Sequence, residues 1–281
     1  MNIHIDDDFS LAKIIDSGQC FRADRLATNQ YRFIYHEKVL YIRAINAQEY
    51  HVSCSREEWI DVWHDYFDLS TQYSSVRALI SDDDLFLKKA SSIGKGIRIL
   101  KQDEWEMLIT FIISQRKSIP AIKKSVELLA RRFGSLISTE YGGCYSFPTV
   151  TQLQIATEED LIQCKLGYRA KYVLDAIEQV SSGKVELNAL HNLSDQEVIL
   201  ALSKIKGVGL KVANCVSLFA YHRLSQAPID VWIKRIIDQE YSGHNPFPDY
   251  PDFAGVMQQY MFYYAQDSKR AKQQARAVLI Q

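Results

Sequence analysis

The sequence predicts an α+β fold, an antiparallel sheet near the N-terminus followed by a mostly helical remainder, and three observations predict it. Tyr31-Arg32-Phe33-Ile34-Tyr35 and Val39-Leu40-Tyr41-Ile42-Arg43-Ala44-Ile45 are aromatic and β-branched, as strands require. From Arg56 onward the apolar spacing becomes helical, with Trp59, Val62, Trp63 and Tyr66 on one face. Beyond that point helix-start signals recur to the end of the chain.

Taken in order, His36-Glu37-Lys38 separates the two strand-like runs and turns them into a hairpin. Ser118, closely followed by Pro120, opens a helix that runs to about Phe133 and ends at Gly134. Gly142-Gly143 to Thr151 reads as a loop, and Gly167 and Gly183 mark later turns. Ser194-Asp195-Gln196-Glu197 is a capping box, in which hydroxyl and carboxylate each satisfy an orphan amide before the apolar run Ile199, Leu200, Leu202. Charge and pattern change together near residues 88–103, around Gly94-Lys95-Gly96. The expected division is a sheet-rich domain over 1–95 and a helical domain over 96–281.

With 281 residues and 47% apolar side chains the chain can bury a substantial core, which excludes wholesale disorder. Its apolar runs, such as Leu108–Ile113 and Val212–Tyr221, are too short or too interrupted to span a bilayer. The N-terminus is acidic through Asp6-Asp7-Asp8 where a secretory signal needs a basic region, so a cytosolic location is expected. Cys20, Cys54, Cys144, Cys164 and Cys215 are scattered with no C-x-x-C pair, so reduced thiols and no metal or other cofactor are expected. The net charge of −1 conceals an asymmetry: residues 1–87 hold 8 basic and 15 acidic residues (−7), and 88–281 hold 25 and 19 (+6). A basic C-terminal part suggests a polyanion partner, although a solvated basic face is the commoner explanation for that charge by itself.

The stretch that carries chemistry is 203–237. Gly207-Val208-Gly209 reads as a tight turn between helices, whose backbone amides can approach a phosphate at a helix start. A plain turn between packed helices fits the same three residues. Lys211 follows, flanked by Val212, Ala213 and Val216, apolar surroundings that would favour the free amine and so a nucleophile; an ammonium reaching solvent is the ordinary alternative. Asp230, after Pro228 and Ile229, also reads as an N-cap of the helix that follows.

In combination, the hairpin, Lys211 and Pro228-Ile229-Asp230-Val231 before a basic helix resemble the helix-hairpin-helix, Gly/Pro-Asp superfamily of base-excision DNA glycosylases. Ser17-Gly18-Gln19-Cys20-Phe21-Arg22, Leu166-Gly167-Tyr168-Arg169-Ala170-Lys171-Tyr172 and Gly207 to Cys215 resemble its 8-oxoguanine branch. No cysteine follows Cys215, which disfavours the iron–sulfur branch. The resemblance implies a TATA-binding-protein-like sheet domain, a helical catalytic domain, and a monomer that acts on damaged duplex DNA without a metal. It implies a bifunctional glycosylase and AP lyase in which Lys211 attacks C1′ and Asp230 stabilises positive charge on the sugar. It further implies that Gly18 offers its carbonyl to the lesion's N7 proton, that Cys215 lines the base pocket, and that Tyr168 and Arg169 wedge into the duplex and contact the orphaned cytosine.

Five positions depart from the family pattern. Arg116 stands where an asparagine holds the opposite cytosine, Trp232 replaces a phosphate-contacting histidine, and Lys206 replaces the hairpin proline. Arg276 and Ile280 are matched to the glutamine and phenylalanine that bind and stack on the flipped base. Two other readings stay open: an alkylated-purine glycosylase of the 3-methyladenine kind, and a non-catalytic helix-hairpin-helix DNA-binding module. Lys211 argues against the first, and its pairing with Asp230 against the second.

Overall fold

A computed structural model describes the backbone of residues 1–278 and the side chains of residues 1–268. The two expected strands, β3 Gln30–Tyr35 and β4 Lys38–Ala44, belong to a five-stranded antiparallel sheet of order β1-β5-β4-β3-β2, which adds β1 Asn2–His4, β2 Ala23–Ala27 and β5 Glu49–Val52. In the β3–β4 hairpin Tyr31 faces Ile42 and Phe33 faces Leu40, so alternate residues meet on the buried side. The turn is tighter than expected, because Lys38 already belongs to β4 and His36 takes φ 52°.

The helix α1 (Leu11–Asp16) and the segment after β5 close this sheet into a first core. That segment contains α2 (Arg56–Glu58), a π turn over Trp59–Trp63, and α3 (His64–Tyr66). The π turn interrupts the regular period: Trp59, Trp63 and Tyr66 are buried as expected, and Val62 is left only partly buried. Phe33, Leu40, Ile42 and Phe67 are fully enclosed, and each such side chain contributes roughly 1.5–3 kcal/mol of burial energy.

The second core is helical. It contains α4 (Tyr73–Ala78), α5 (Leu85–Gly94), α6 (Glu104–Ser114) and α7 (Ile119–Phe133), the last beginning and ending where expected. After α7 the structure departs from the expected loop at 142–151. β6 (Leu136–Thr139) and β7 (Gly142–Tyr145) pair antiparallel, Leu136 with Tyr145 and Ile137 with Cys144. Four-residue strands are too short to show alternation, and the glycine pair reads locally as a turn.

The remaining helices are α8 (Val150–Leu153), α9 (Glu158–Gln163), α10 (Ala170–Ser181), α11 (Asp195–Leu202), α12 (Leu210–Phe219), α13 (Val231–Glu240) and α14 (Ala254–Val278). The Ser194/Glu197 capping box forms at α11. Helix α14 packs along α5, where Phe86 meets Tyr264 edge-on at 5.3 Å between ring centres. Among the described residues no helix is long and apolar enough to cross a membrane.

Arg98 joins the two cores. It is 0% exposed, and its guanidinium donates to the carbonyls of Phe67, Asp8, Asp68 and Thr71 and pairs with Asp7 at 3.0 Å. All its donor capacity is thereby satisfied, which a buried guanidinium requires.

Candidate active site

The segment Ser17–Arg22 crosses from one core to the other and is held from several sides. The buried Gln19 side chain donates to Ser17 Oγ and to the Arg98 carbonyl, both at 2.9 Å, and accepts from the Leu100 amide at 2.8 Å. Its own carbonyl accepts from Gln102. Arg22 donates to the Tyr145 carbonyl and faces Glu106 at 3.9 Å. Glu106 is enclosed enough that burial outweighs the neighbouring Arg22 charge and pushes its carboxyl up to about 8. Gly18 is thus presented on a locked backbone with φ 77°, and a side chain there would lie 2.9 Å from Phe262 Cε1. Only a glycine lets that ring approach so closely.

Lys211 lines one cavity with Gly18, and it follows the hairpin between α11 and α12. Gly207 has φ 83°, and a Cβ on it would sit 2.4 Å from the Tyr172 ring. Gly207→Ala therefore combines a left-handed backbone penalty of about 1–2 kcal/mol with a direct clash, and its melting temperature is expected to fall by several degrees in a thermal denaturation scan. The expected set of phosphate-binding amides is only partly open. Val208 N–H donates to the Ile205 carbonyl at 3.0 Å, and Lys206 N–H donates to Asp175 at 2.7 Å. Gly209 caps α12, whose first intrahelical donor is Ala213 N–H, so the amides of Leu210, Lys211 and Val212 have no partner within the helix.

Lys211 stands on that first turn. Val212, Ala213 and Val216 do not draw it into apolar surroundings as the sequence leads one to expect: they pack into the helical core, and Lys211, on the other side of α12, is exposed. Its Nζ lies 5.8 Å from the centre of the Phe111 ring. One turn further on, Cys215 is buried, and that burial pushes its thiol up to about 11 while the nearby Lys211 charge pulls it back down. It stays a neutral thiol at physiological pH and is not among the residues that line the cavity.

Asp230 is the N-cap of α13, as its Pro-Ile-Asp setting predicts. Oδ1 accepts from Trp232 N–H and Ile233 N–H, both at 2.9 Å, so Oδ2 is not part of the cap. Lys211 and Asp230 line one cavity of about 610 Å³, whose other walls include Gly18, Phe21, Phe111 and Phe262. They also line a second cavity of about 680 Å³, with Arg116, Ile229, Val231 and Lys234. Trp232 borders both and carries Arg235 over its ring at 5.3 Å. No group of three or more potential metal ligands occurs among the described residues.

The remaining expected residues divide. Arg116 is exposed on the second cavity with φ 53°, and Tyr168 is 52% exposed on the short Gly167–Arg169 turn. Arg169 is buried and donates to the carbonyls of Gln115 and Leu166, under the Tyr168 ring. Ile280 lies outside the described residues, as does the side chain of Arg276. Among the described side chains of α14, Phe262 and Gln266 line the cavity. Sequence reasoning did not single out Phe262, Phe111, Gln19 or Gln115. A signal for the first existed: Gln258 and Phe262 repeat, earlier on the same helix, the glutamine and phenylalanine sought at Arg276 and Ile280, with the same spacing.

Comparison with known proteins adds independent findings. A family model for the N-terminal domain of 8-oxoguanine DNA glycosylase matches residues 2–108. The structure of MBOgg1 in complex with a low-affinity DNA ligand superposes with a TM-score of 0.91 at 36% identity, over 95% of this chain and 96% of that one. The Clostridium acetobutylicum 8-oxoguanine glycosylase/lyase, solved with double-stranded DNA containing cytosine opposite 8-oxoguanine, gives a TM-score of 0.89 at 34% identity over 96% and 98%. An N-glycosylase/DNA lyase of Saccharomyces cerevisiae is 35% identical over 186 residues, 62% of this chain; the match spans about half (49%) of that relative's length.

Proposed function

The chain belongs to the 8-oxoguanine DNA glycosylase family, and from that membership and the geometry of its cavity we propose that it excises 8-oxoguanine from duplex DNA and then cleaves the abasic strand. One observation carries the reading: Lys211 and Asp230 share a wall of the cavity that Gly18 and Phe262 help to close.

The steps follow from the groups present. Phosphates dock on the unpartnered amides at the start of α12 and on basic side chains around the second cavity, Arg116 and Lys234 among them. The damaged nucleotide rotates out of the stack, because its C1′ is otherwise out of reach, and its base enters the 610 Å³ cavity. Phe262 offers a face for stacking, and the Gly18 carbonyl accepts the N7 proton of 8-oxoguanine. Guanine would oppose an acceptor to that carbonyl, leaving two buried acceptors unpaired, which excludes it.

Lys211 as free amine attacks C1′ and the glycosidic bond breaks, its electron pair leaving with the base. The Asp230 carboxylate stabilises the cationic sugar. Ring opening gives a Schiff base between Lys211 Nζ and C1′, and loss of a C2′ proton then expels the 3′ phosphate by β-elimination. Neither a metal nor an organic cofactor is needed. The reading includes action as a monomer in the cytosol.

Borohydride trapping on an 8-oxoguanine duplex tests it. A covalent protein–DNA adduct with a cleaved strand is the expected result. Base release without an adduct would indicate the water-using chemistry of an alkylated-purine enzyme, and binding without release a DNA-binding module.

Opposite-base preference gives a further prediction. Arginine only donates, so Arg116 can satisfy O2 and N3 of cytosine but cannot accept from its N4 amine. Thymine also presents acceptors. Single-turnover rates are expected to show excision opposite cytosine with measurable activity opposite thymine, and Arg116→Asn is expected to restrict the enzyme to cytosine. Equal strictness in both proteins would leave Arg116 a phosphate contact.

A further inference from the structure

Three chain segments meet beside Lys211: the loop after α6, the Gly167–Arg169 turn and the Gly207 hairpin. Gln115 bonds to both of the others. Its carbonyl accepts from Arg169 Nε at 2.8 Å and from Arg169 Nη2 as well. Its side-chain amide donates to the Gly207 carbonyl at 3.1 Å, and to that of Ile112 at the same distance. A second tie runs in parallel, from Lys117 Nζ to Ser125 Oγ at 2.6 Å and to the Lys165 carbonyl at 2.5 Å. Between the two ties Arg116 is exposed, with a left-handed backbone that is uncommon for a residue other than glycine.

Arg169 therefore does not reach out of this surface. It is 7% exposed, its guanidinium is spent on Gln115 and Leu166, and it lies 4.4 Å from the centre of the Tyr168 ring. A displacement of Tyr168 can reach the Gln115 carbonyl through Arg169, and one of Arg116 through the peptide group the two residues share. From there the coupling is stiff. The Gly207 backbone is clamped between Gln115 and the Tyr172 ring, and α12, with Lys211 on its first turn, starts three residues later. Small displacements of a nucleophile out of line with C1′ cost much of the rate.

Resting on the glycosylase reading above, we propose that Gln115 is a positioning residue that transmits occupancy of the opposite-base site, through Arg169 and Gly207, to the placement of Lys211.

The test uses Gln115→Met, which keeps the length of the side chain and removes its donor, on two duplexes carrying 8-oxoguanine opposite either cytosine or a tetrahydrofuran abasic analogue. Wild type is expected to excise faster opposite cytosine in single turnover. In Gln115→Met that preference is expected to shrink by about two- to tenfold, the worth of one such hydrogen bond, with DNA affinity retained. Arg169→Lys, which loses the planar fork on the same carbonyl, is expected to shift the ratio in the same direction, and the double variant no further.

An equal slowing on both duplexes would mean a merely structural role and overturn the proposal, as would an unchanged ratio in both variants. A wild type that traps DNA but ignores the opposite base overturns the coupling alone. A wild type that traps nothing overturns the glycosylase reading, and the coupling with it.

Discussion

Lys211→Gln is expected to bind an 8-oxoguanine duplex with near wild-type affinity while losing base release, strand cleavage and borohydride trapping together. Glutamine preserves most of the side-chain length and hydrogen-bonding capacity at the cavity wall but has no nucleophilic nitrogen. Rate losses on removing a covalent nucleophile are on the order of 10⁴-fold or more, so single-turnover excision should fall to background. Stability should hardly move, because Lys211 is exposed and its contact is the edge of the cavity near Phe111, where substitutions stay within about 0.5 kcal/mol. A Lys211→Gln protein that still traps DNA would place the nucleophile elsewhere.

Asp230→Asn is expected to lower excision by roughly 10²- to 10³-fold, the usual cost of removing one electrostatic stabiliser of a transition state. The substitution isolates charge from capping. Asparagine caps helices about as well as aspartate, and its oxygen can still accept from Trp232 N–H and Ile233 N–H, leaving only the charge–dipole contribution of about 0.3–1 kcal/mol to be lost. Asp230→Ala removes the cap too and should cost an additional 0.5 to about 2 kcal/mol in denaturant titration. If Asp230→Asn excises at the wild-type rate, the carboxylate serves the helix and not the sugar.

How much of this was legible before the structure depends on the range over which each signal acts. The β3–β4 hairpin, the 119–133 helix, the Ser194 capping box and the Asp230 cap were legible because their causes lie within a few residues. The β6–β7 hairpin was missed because its four-residue strands carry too little pattern, and the π turn at Trp59–Trp63 because it adds a residue to a helical period that otherwise looks regular. Phe262 was passed over although its spacing from Gln258 was in plain view, since nothing local distinguishes a pocket aromatic from a core one among the buried Val256, Met257, Tyr260 and Met261 at the start of α14.

By itself the sequence determined the class of fold, the family, and the identity of the nucleophile and carboxylate candidates, because residue type and short spacing are enough to specify a hairpin, a lysine two residues past it and a capped Asp230. Only the tertiary structure decided which groups those residues meet. Gly18 and Lys211 are far apart in the chain and share one cavity because Gln19 and Arg98 lock the crossing between the cores. The same packing sends Val212 and Val216 into the core and leaves Lys211 at the cavity mouth, and it turns Arg169 inward onto Gln115. Exposure and partnership are properties of contacts between distant segments. A helix lysine or a loop arginine has the same local sequence whether its charge reaches water, a substrate or a buried carbonyl, so the choice is made only when the segments pack.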